Sequence, residues 1–203
     1  MSDTYHYTGI AAAPRAPLLF LFHGTGGNET SLLGLGQRLM PNAHLIAPRG
    51  DVSEGGALRF FQRTGEGVYD MADLDRATAK MMAFVEAQVE AAKPSIVLAL
   101  GYSNGANILT SVLFERPEPI DAAVLMHPLI PFEPMPQPGL GGKSILLTAG
   151  RNDPICPAPL TERLGDYFSV QGAAIETAWH EGGHEIRPEE LAAVQTFVSK
   201  LNV

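Results

Sequence analysis

Ile96-Val97-Leu98-Ala99-Leu100-Gly101-Tyr102-Ser103-Asn104-Gly105 decides the architecture: an apolar run leads into a serine with glycine two positions to either side, and a helix-like segment follows. A serine wedged between a buried strand and a helix must take a tightly turned backbone, and glycines at those two positions remove the Cβ atoms that would collide. The hydroxyl is thereby pushed out above the sheet. The duller reading is a glycine-rich turn in which Ser103 merely caps the following helix. The strand before and the helix after favour the elbow.

Outward from this point, short β-like runs alternate with longer amphipathic ones. Strands are expected over 18–23, 43–48, 96–101, 122–127, 144–149 and 173–179. The clearest helix is expected over 72–92, where Leu74, Ala77, Met81, Phe84, Val85, Gln88 and Val89 trace a mostly apolar face and Asp70 or Asp73 suits the positive N-terminal end. Near the C-terminus, Pro188, Glu189 and Glu190 fit a first turn and Leu191, Val194, Phe197, Val198 and Leu201 a buried stripe. The alternation predicts one α/β domain over 1–203, with a mainly parallel central sheet, helices on both faces and no large cap domain. In such sheets ligands bind at the carboxyl ends of the strands, so chemistry should fall in the loops that follow strands.

Length and composition agree. The 203 residues are 45% hydrophobic and 18% charged, ordinary for a globular protein with a substantial core. A net charge of -8 argues against nucleic-acid backbones and anionic membrane surfaces. The first apolar run, Leu18-Leu19-Phe20-Leu21-Phe22, is too short to span a bilayer, and the start of the chain does not resemble a signal peptide. The single cysteine, Cys156, excludes an internal disulfide, so the expected compartment is the reducing cytoplasm.

Three chemically capable side chains obey the strand-end rule. Ser103 follows one expected strand, Asp153 follows another in Gly150-Arg151-Asn152-Asp153-Pro154, and His184 follows the last in Gly182-Gly183-His184-Glu185. A serine hydroxyl is a poor nucleophile at neutral pH and needs a base to take its proton, for which imidazole is suited; a carboxylate then fixes the tautomer and stabilises the imidazolium. Asp153 could alone be a turn residue and His184 a loop residue. Their joint occurrence after separate strands, in the order serine, acid, histidine, favours catalysis. After the first long strand, His23-Gly24-Thr25-Gly26-Gly27 can converge backbone amides on one point, and the expected oxyanion hole is the amides of Thr25 and Asn104. A phosphate loop would need a following Gly-Lys-Ser/Thr, and a dinucleotide fingerprint a glycine where Glu29 stands. A plain loop before a helix capped by Asn28 is the alternative.

With these residues in view, the chain resembles α/β-hydrolases of the phospholipase/carboxylesterase branch, which also contains acyl-protein thioesterases. The resemblance runs through Leu21-Phe22-His23-Gly24-Thr25-Gly26-Gly27, Ala47-Pro48-Arg49-Gly50, the serine pentapeptide, the Asp153 turn and Gly183-His184. It implies Ser103 as nucleophile, Asp153 as orienting acid and His184 as general base, with Thr25 and Asn104 supplying oxyanion amides. Arg59-Phe60-Phe61-Gln62-Arg63 and Glu66-Gly67-Val68-Tyr69-Asp70 are closer to the small bacterial carboxylesterases than to the thioesterases, which typically carry Gln and Gly where this chain has Asn104 and Ala106.

The expected activity is cleavage of small or medium carboxylic esters through an acyl-enzyme, with no cofactor. The expected partner is a small-molecule ester, with no nucleic acid and no membrane, and with a homodimer left open. Alternatives are a thioesterase or lysophospholipase-type activity, or a hydrolase fold that binds ligand without turnover. The connection 50–71 is expected to cover the serine with Phe60, Phe61, Tyr69 and Met71, opposite a wall of Ile130 and Phe132.

A rival motif must be weighed. His180-Glu181-Gly182-Gly183-His184 satisfies H-E-x-x-H, which on a helix would place two zinc ligands on one face. Two interior glycines cost such a helix about 2 kcal/mol relative to alanine, and the run follows an expected strand, so no metal is expected. Cys156 reads as a packed thiol, and His127, at a strand end, either lines the pocket or is hydrogen-bonded structure.

Overall fold

A computed structural model describes residues 4–65 and 67–201. In chain order the elements are β1 (Tyr7–Ile10), β2 (Leu18–Phe22), α1 (Leu33–Leu39), β3 (His44–Pro48), β4 (Val52–Glu54), β5 (Ala57–Arg59), β6 (Arg63–Gly65), β7 (Val68–Tyr69), α2 (Met71–Ala92), β8 (Val97–Tyr102), α3 (Asn104–Glu115), β9 (Ala122–Met126), β10 (Ser144–Gly150), α4 (Ala158–Val170), β11 (Ala174–His180) and α5 (Pro188–Lys200). The main sheet has the order β1-β3-β2-β8-β9-β10-β11. All its pairings are parallel except that of the edge strand β1 with β3. The expected strands and the helix over 72–92 recur with ends shifted by a residue or two. Glu66 lies outside the described residues.

The sheet is buried on both faces, which is why β2, β8 and β9 read as unbroken apolar runs. Alternate residues feed opposite cores. Phe20, Phe22 and Ala99 pack with Leu74, Met81 and Phe84 of α2, Ile108 and Val112 of α3 and Phe168 of α4. Leu19, Leu21, Leu98 and Leu100 pack with Val194, Phe197 and Val198 of α5. Each such large side chain, fully removed from water, stabilises the fold by about 1.5–3 kcal/mol. Asp70 caps α2, accepting from the Asp73 amide at 3.1 Å.

The connection 50–71 is not a featureless loop. It folds into two hairpins, β4–β5 and β6–β7. Gly55-Gly56, with φ of 57° and 93°, supply the two left-handed positions of a two-residue hairpin turn. Among the described residues no helix is long and apolar enough to cross a membrane.

Candidate active site

Ser103 stands between β8 and α3 with φ 53° and ψ -118°, a left-handed conformation unusual for a residue with a side chain. Its flanking glycines are required by close approach. A Cβ at Gly101 would lie 2.5 Å from the Gly105 carbonyl oxygen, and one at Gly105 would lie 2.1 Å from that of Phe22. The Ser103 side chain makes no helix-capping hydrogen bond, so the capping reading of the pentapeptide fails. Its amide instead continues the sheet, donating to Met126 O at 2.8 Å.

The structure brings Ser103, Asp153 and His184 together across 81 and 31 residues of chain. His184 Nε2 lies 2.8 Å from Ser103 Oγ, and His184 Nδ1 lies 2.7 Å from Asp153 Oδ2. With Nδ1–H donating to the carboxylate, Nε2 is left as the acceptor of the serine proton. Asp153 has a fully buried side chain. Burial works to raise its carboxyl, but the Cys156 amide, the His127 and His184 rings and the Ile155 amide outweigh it and hold it below the usual carboxylate range. The two loops are fastened to each other: Asn152 Nδ2 donates to Glu181 O at 2.8 Å and the Asn152 amide to Gly182 O at 3.0 Å. Tyr102 Oη donates to His184 O at 2.7 Å and anchors the histidine loop to β8. Burial pushes the Tyr102 phenol up to about 12, so it remains a donor.

His23 shapes the second glycine-rich loop. It is buried, its Nε2 accepts the Gly50 amide at 2.9 Å, and its Nδ1 therefore carries the proton and donates to Gly24 O at 2.7 Å. Burial lowers its affinity for a second proton. Thr25 and Asn104 border the same cleft as Ser103 and His184. Among the described residues, neither of their amides donates to a backbone carbonyl outside the regular elements, and that of Asn104, at the first position of α3, has no partner within its helix. Both can therefore donate to a ligand oxygen. Asn28 does not cap a helix: its Oδ1 accepts the Thr30 amide at 2.9 Å in a turn, and α1 begins only at Leu33.

The cleft over Ser103 is about 340 Å³. Of the wall expected from the sequence, Tyr69 lines it, joined by Arg59, Asn107 and Leu129. Phe60 and Phe61 do not line it; both are fully buried. The Phe60 amide donates to Asn104 Oδ1 at 2.8 Å, which seats its ring in the core against Phe22 and His23. Met71 and Phe132 line a separate groove beside α2, and Ile130 lines another beside α4. The segment after β9 is drawn there because Phe132 packs on Phe114 at the far end of α3. The cleft is more polar than expected: Arg59, with 5% exposure, donates to Thr25 Oγ1 at 2.8 Å and to Phe61 O at 3.2 Å.

The H-E-x-x-H run is not helical; it spans the end of β11 and a loop. His180 turns to His127 while His184 turns to Ser103. His127, His180 and Glu190 do cluster. However, His180 Nδ1 accepts the Gly182 amide at 3.0 Å, which leaves a proton on the Nε2 that would have to ligate a metal. Cys156 is buried, its thiol pushed up by burial and by Asp153.

Residues 8–202 match the family described as phospholipase/carboxylesterase. The chain belongs to that family. Its fold is the α/β-hydrolase fold, and its membership makes it an esterase-type hydrolase. It is 40% identical over 175 residues to MhqD of Bacillus subtilis strain 168, covering 85% of this chain and 88% of that protein. A protein of unknown function from Agrobacterium tumefaciens is 53% identical, with a TM-score of 0.92 over 98% of this chain and 97% of that one. The Bacillus cereus carboxylesterase is 34% identical, with a TM-score of 0.92 over 98% of this chain and 95% of that one.

Proposed function

We propose that this family member hydrolyses carboxylic esters of small or medium acyl groups through a covalent acyl-enzyme. His184 Nε2 takes the Ser103 proton as Oγ attacks the ester carbonyl, and the amides of Thr25 and Asn104 receive the oxygen that becomes negative. Asp153 holds the imidazole and balances its charge. The proton then passes to the leaving alkoxide, and water, activated by the same imidazole, releases the acid. The observation that carries this reading is the unbroken Ser103 Oγ–His184 Nε2 and His184 Nδ1–Asp153 Oδ2 chain, at 2.8 and 2.7 Å, assembled from the ends of separate strands.

A cleft of about 340 Å³ supports a modest acyl group, and Asn104 in place of glutamine supports an ester over a thioester. A small-molecule substrate, without nucleic acid or membrane, is part of the same reading, supported by the net charge of -8. A reducing, cytoplasmic setting is supported by the lone, buried Cys156.

The test is stoichiometric labelling by a fluorophosphonate together with turnover of activated esters and thioesters of graded chain length. Ser103→Ala should abolish labelling and lower kcat by about 10⁴–10⁶ while the fold is kept. Labelling at another residue, or a loss below about tenfold, would remove Ser103 from this role. Covalent capture without release of product would favour a binding protein over an enzyme.

A further inference from the structure

Arg59 stands in the wall of the serine cleft with only 5% of its surface exposed, although a guanidinium taken from water is costly unless opposite charge meets it. Its hydrogen bonds go to neutral oxygens. Nε donates to Phe61 O at 3.2 Å and Nη1 to Thr25 Oγ1 at 2.8 Å, while Nη2 donates to no group among the described residues. The carboxylate beside it, Glu54, lies 3.5 Å from Nε but is engaged by Arg63, whose Nε and Nη2 hold both of its oxygens at 2.9–3.0 Å. Arg63 borders the cleft as well. Among the described residues, two guanidinium groups thus share one carboxylate there.

The other polar groups of the cleft repeat the bias. Thr25 Oγ1 accepts from Arg59, so its own proton is left to donate elsewhere. Asn107, 6% exposed, accepts the Leu129 amide on Oδ1 at 2.7 Å, which leaves Nδ2 as a donor. Tyr69 and Tyr102 direct their hydroxyl protons to the carbonyls of Leu129 and His184. None of the described residues that line the cleft is Asp or Glu, in a chain whose net charge is -8. A plain ester does not use this surplus, because its carbonyl oxygen is met by the Thr25 and Asn104 amides and its leaving oxygen by the His184 proton. The surplus matches a second, negatively charged group on the substrate. A single net positive charge and a planar fork of donors suit a carboxylate better than a phosphate, which carries nearly two charges at neutral pH. Position follows from Thr25. The Gly26 amide donates to Leu58 O at 2.9 Å, which clamps β5 on the oxyanion loop and seats Arg59 within a side chain's length of the reacting carbonyl.

We propose that Arg59, with Arg63 at the rim, determines specificity, and that the substrate is a small ester bearing a carboxylate within a few bonds of its reacting carbonyl. This rests on the esterase reading above and names the substrate class of the same site. The carboxylate accepts from Arg59 Nη2 and the Thr25 hydroxyl, whereas a neutral ester leaves those donors unmet in a largely buried wall.

The test compares kcat/KM of the full chain, by acid release at constant neutral pH, for ester pairs in which an amide replaces the carboxylate. Monoethyl succinate against ethyl succinamate carries the charge on the acyl half, and acetoxyacetate against acetoxyacetamide carries it on the alcohol half. In at least one pair the anion should be preferred by about tenfold or more, mainly through KM. Arg59→Gln should erase that preference, and Arg59→Lys should keep part of it, since an ammonium retains the charge without the fork. Arg63→Gln should reduce it by about threefold, and carries the comparison if Arg59→Gln does not fold. A merely structural Arg59 would slow both members of a pair alike and leave their ratio where it was. No preference in the native protein, or an unmoved ratio in the folded variants, overturns the proposal. Ser103-dependent turnover of the neutral esters without a preference removes this substrate class and leaves the esterase reading; absence of any ester turnover removes both.

Discussion

Replacing Asp153 by asparagine changes one atom and should inactivate the enzyme, because the surroundings dictate which way the new amide faces. The Oδ1 position accepts two backbone amides, from Ile155 and Cys156, at 2.8 and 2.9 Å. The oxygen of the substituted side chain must stay there, since an NH2 group would confront two donors. The NH2 is therefore forced into the Oδ2 position, against Nδ1 of both His184 and His127, which lie at 2.7 and 2.8 Å and donate in the native protein. Both rings must release the Nδ1 proton. For His184 the proton moves to Nε2, 2.8 Å from Ser103 Oγ, where a lone pair is needed to take the serine proton. The expected loss in kcat at neutral pH is about 10⁴, the size of the wrong-tautomer effect in the serine-protease case. Two charge-assisted hydrogen bonds, each worth about 1.5–3 kcal/mol, are lost and partly replaced. The net destabilisation should be about 3 kcal/mol, or a fall in Tm of about 6–12 °C. Steady-state hydrolysis of an activated ester measures the first and calorimetry the second. Turnover within about tenfold of the native enzyme would refute the assignment of Asp153 as the group that fixes the His184 tautomer.

Two further outcomes follow from the same contacts. Gly105→Ala places a methyl group 2.1 Å from the Phe22 carbonyl oxygen, a backbone atom that cannot rotate away, and should cost about 3 kcal/mol or more, read as a lowered Tm against an unchanged Ser103→Ala control. Thermal stability should fall at both ends of the pH range. The Asp153 carboxyl is held below its unfolded value, so its stabilisation is present above about pH 4 and is lost as pH falls through the folded value. His127 is held above its unfolded value, so its contribution is complete below about pH 6.5 and is lost as pH rises through the folded value. Calorimetry across pH should show the alkaline decline shrink in His127→Asn; a native Tm that climbs steadily into the alkaline range contradicts a raised proton affinity of His127.

Ser103, Asp153 and His184 were legible as a group because each lies in the turn or loop that follows a strand, and the ends of parallel strands reach one rim of the sheet. The cleft wall was not legible. Phe60 and Phe61 are adjacent aromatics in a long connection, and nothing local says whether they face solvent, cleft or core. The hydrogen bond from the Phe60 amide to Asn104, 44 residues away, decides it. The same folding of two hairpins turns Arg59 toward Thr25. Glu190 was equally hidden. In the first turn of α5 it reads as a partner for the helix dipole, and one of its oxygens does accept the Arg187 amide. Its other oxygen meets Thr148 and His127, contacts that exist because α5 packs on β10 and β11.

What the chain determines by itself is order and period: buried strands alternating with amphipathic helices, glycines where two backbones come within van der Waals contact, and reactive side chains at strand ends. These are short-range consequences of backbone geometry and hydrophobic spacing. Which polar groups share a proton is a different matter. That His127 and His184 divide one carboxylate oxygen, and that an arginine rather than a phenylalanine borders the serine, depend on tenths of an ångström between residues tens of positions apart. Electrostatic and hydrogen-bond energies vary steeply over such distances, and only the packed tertiary structure sets them.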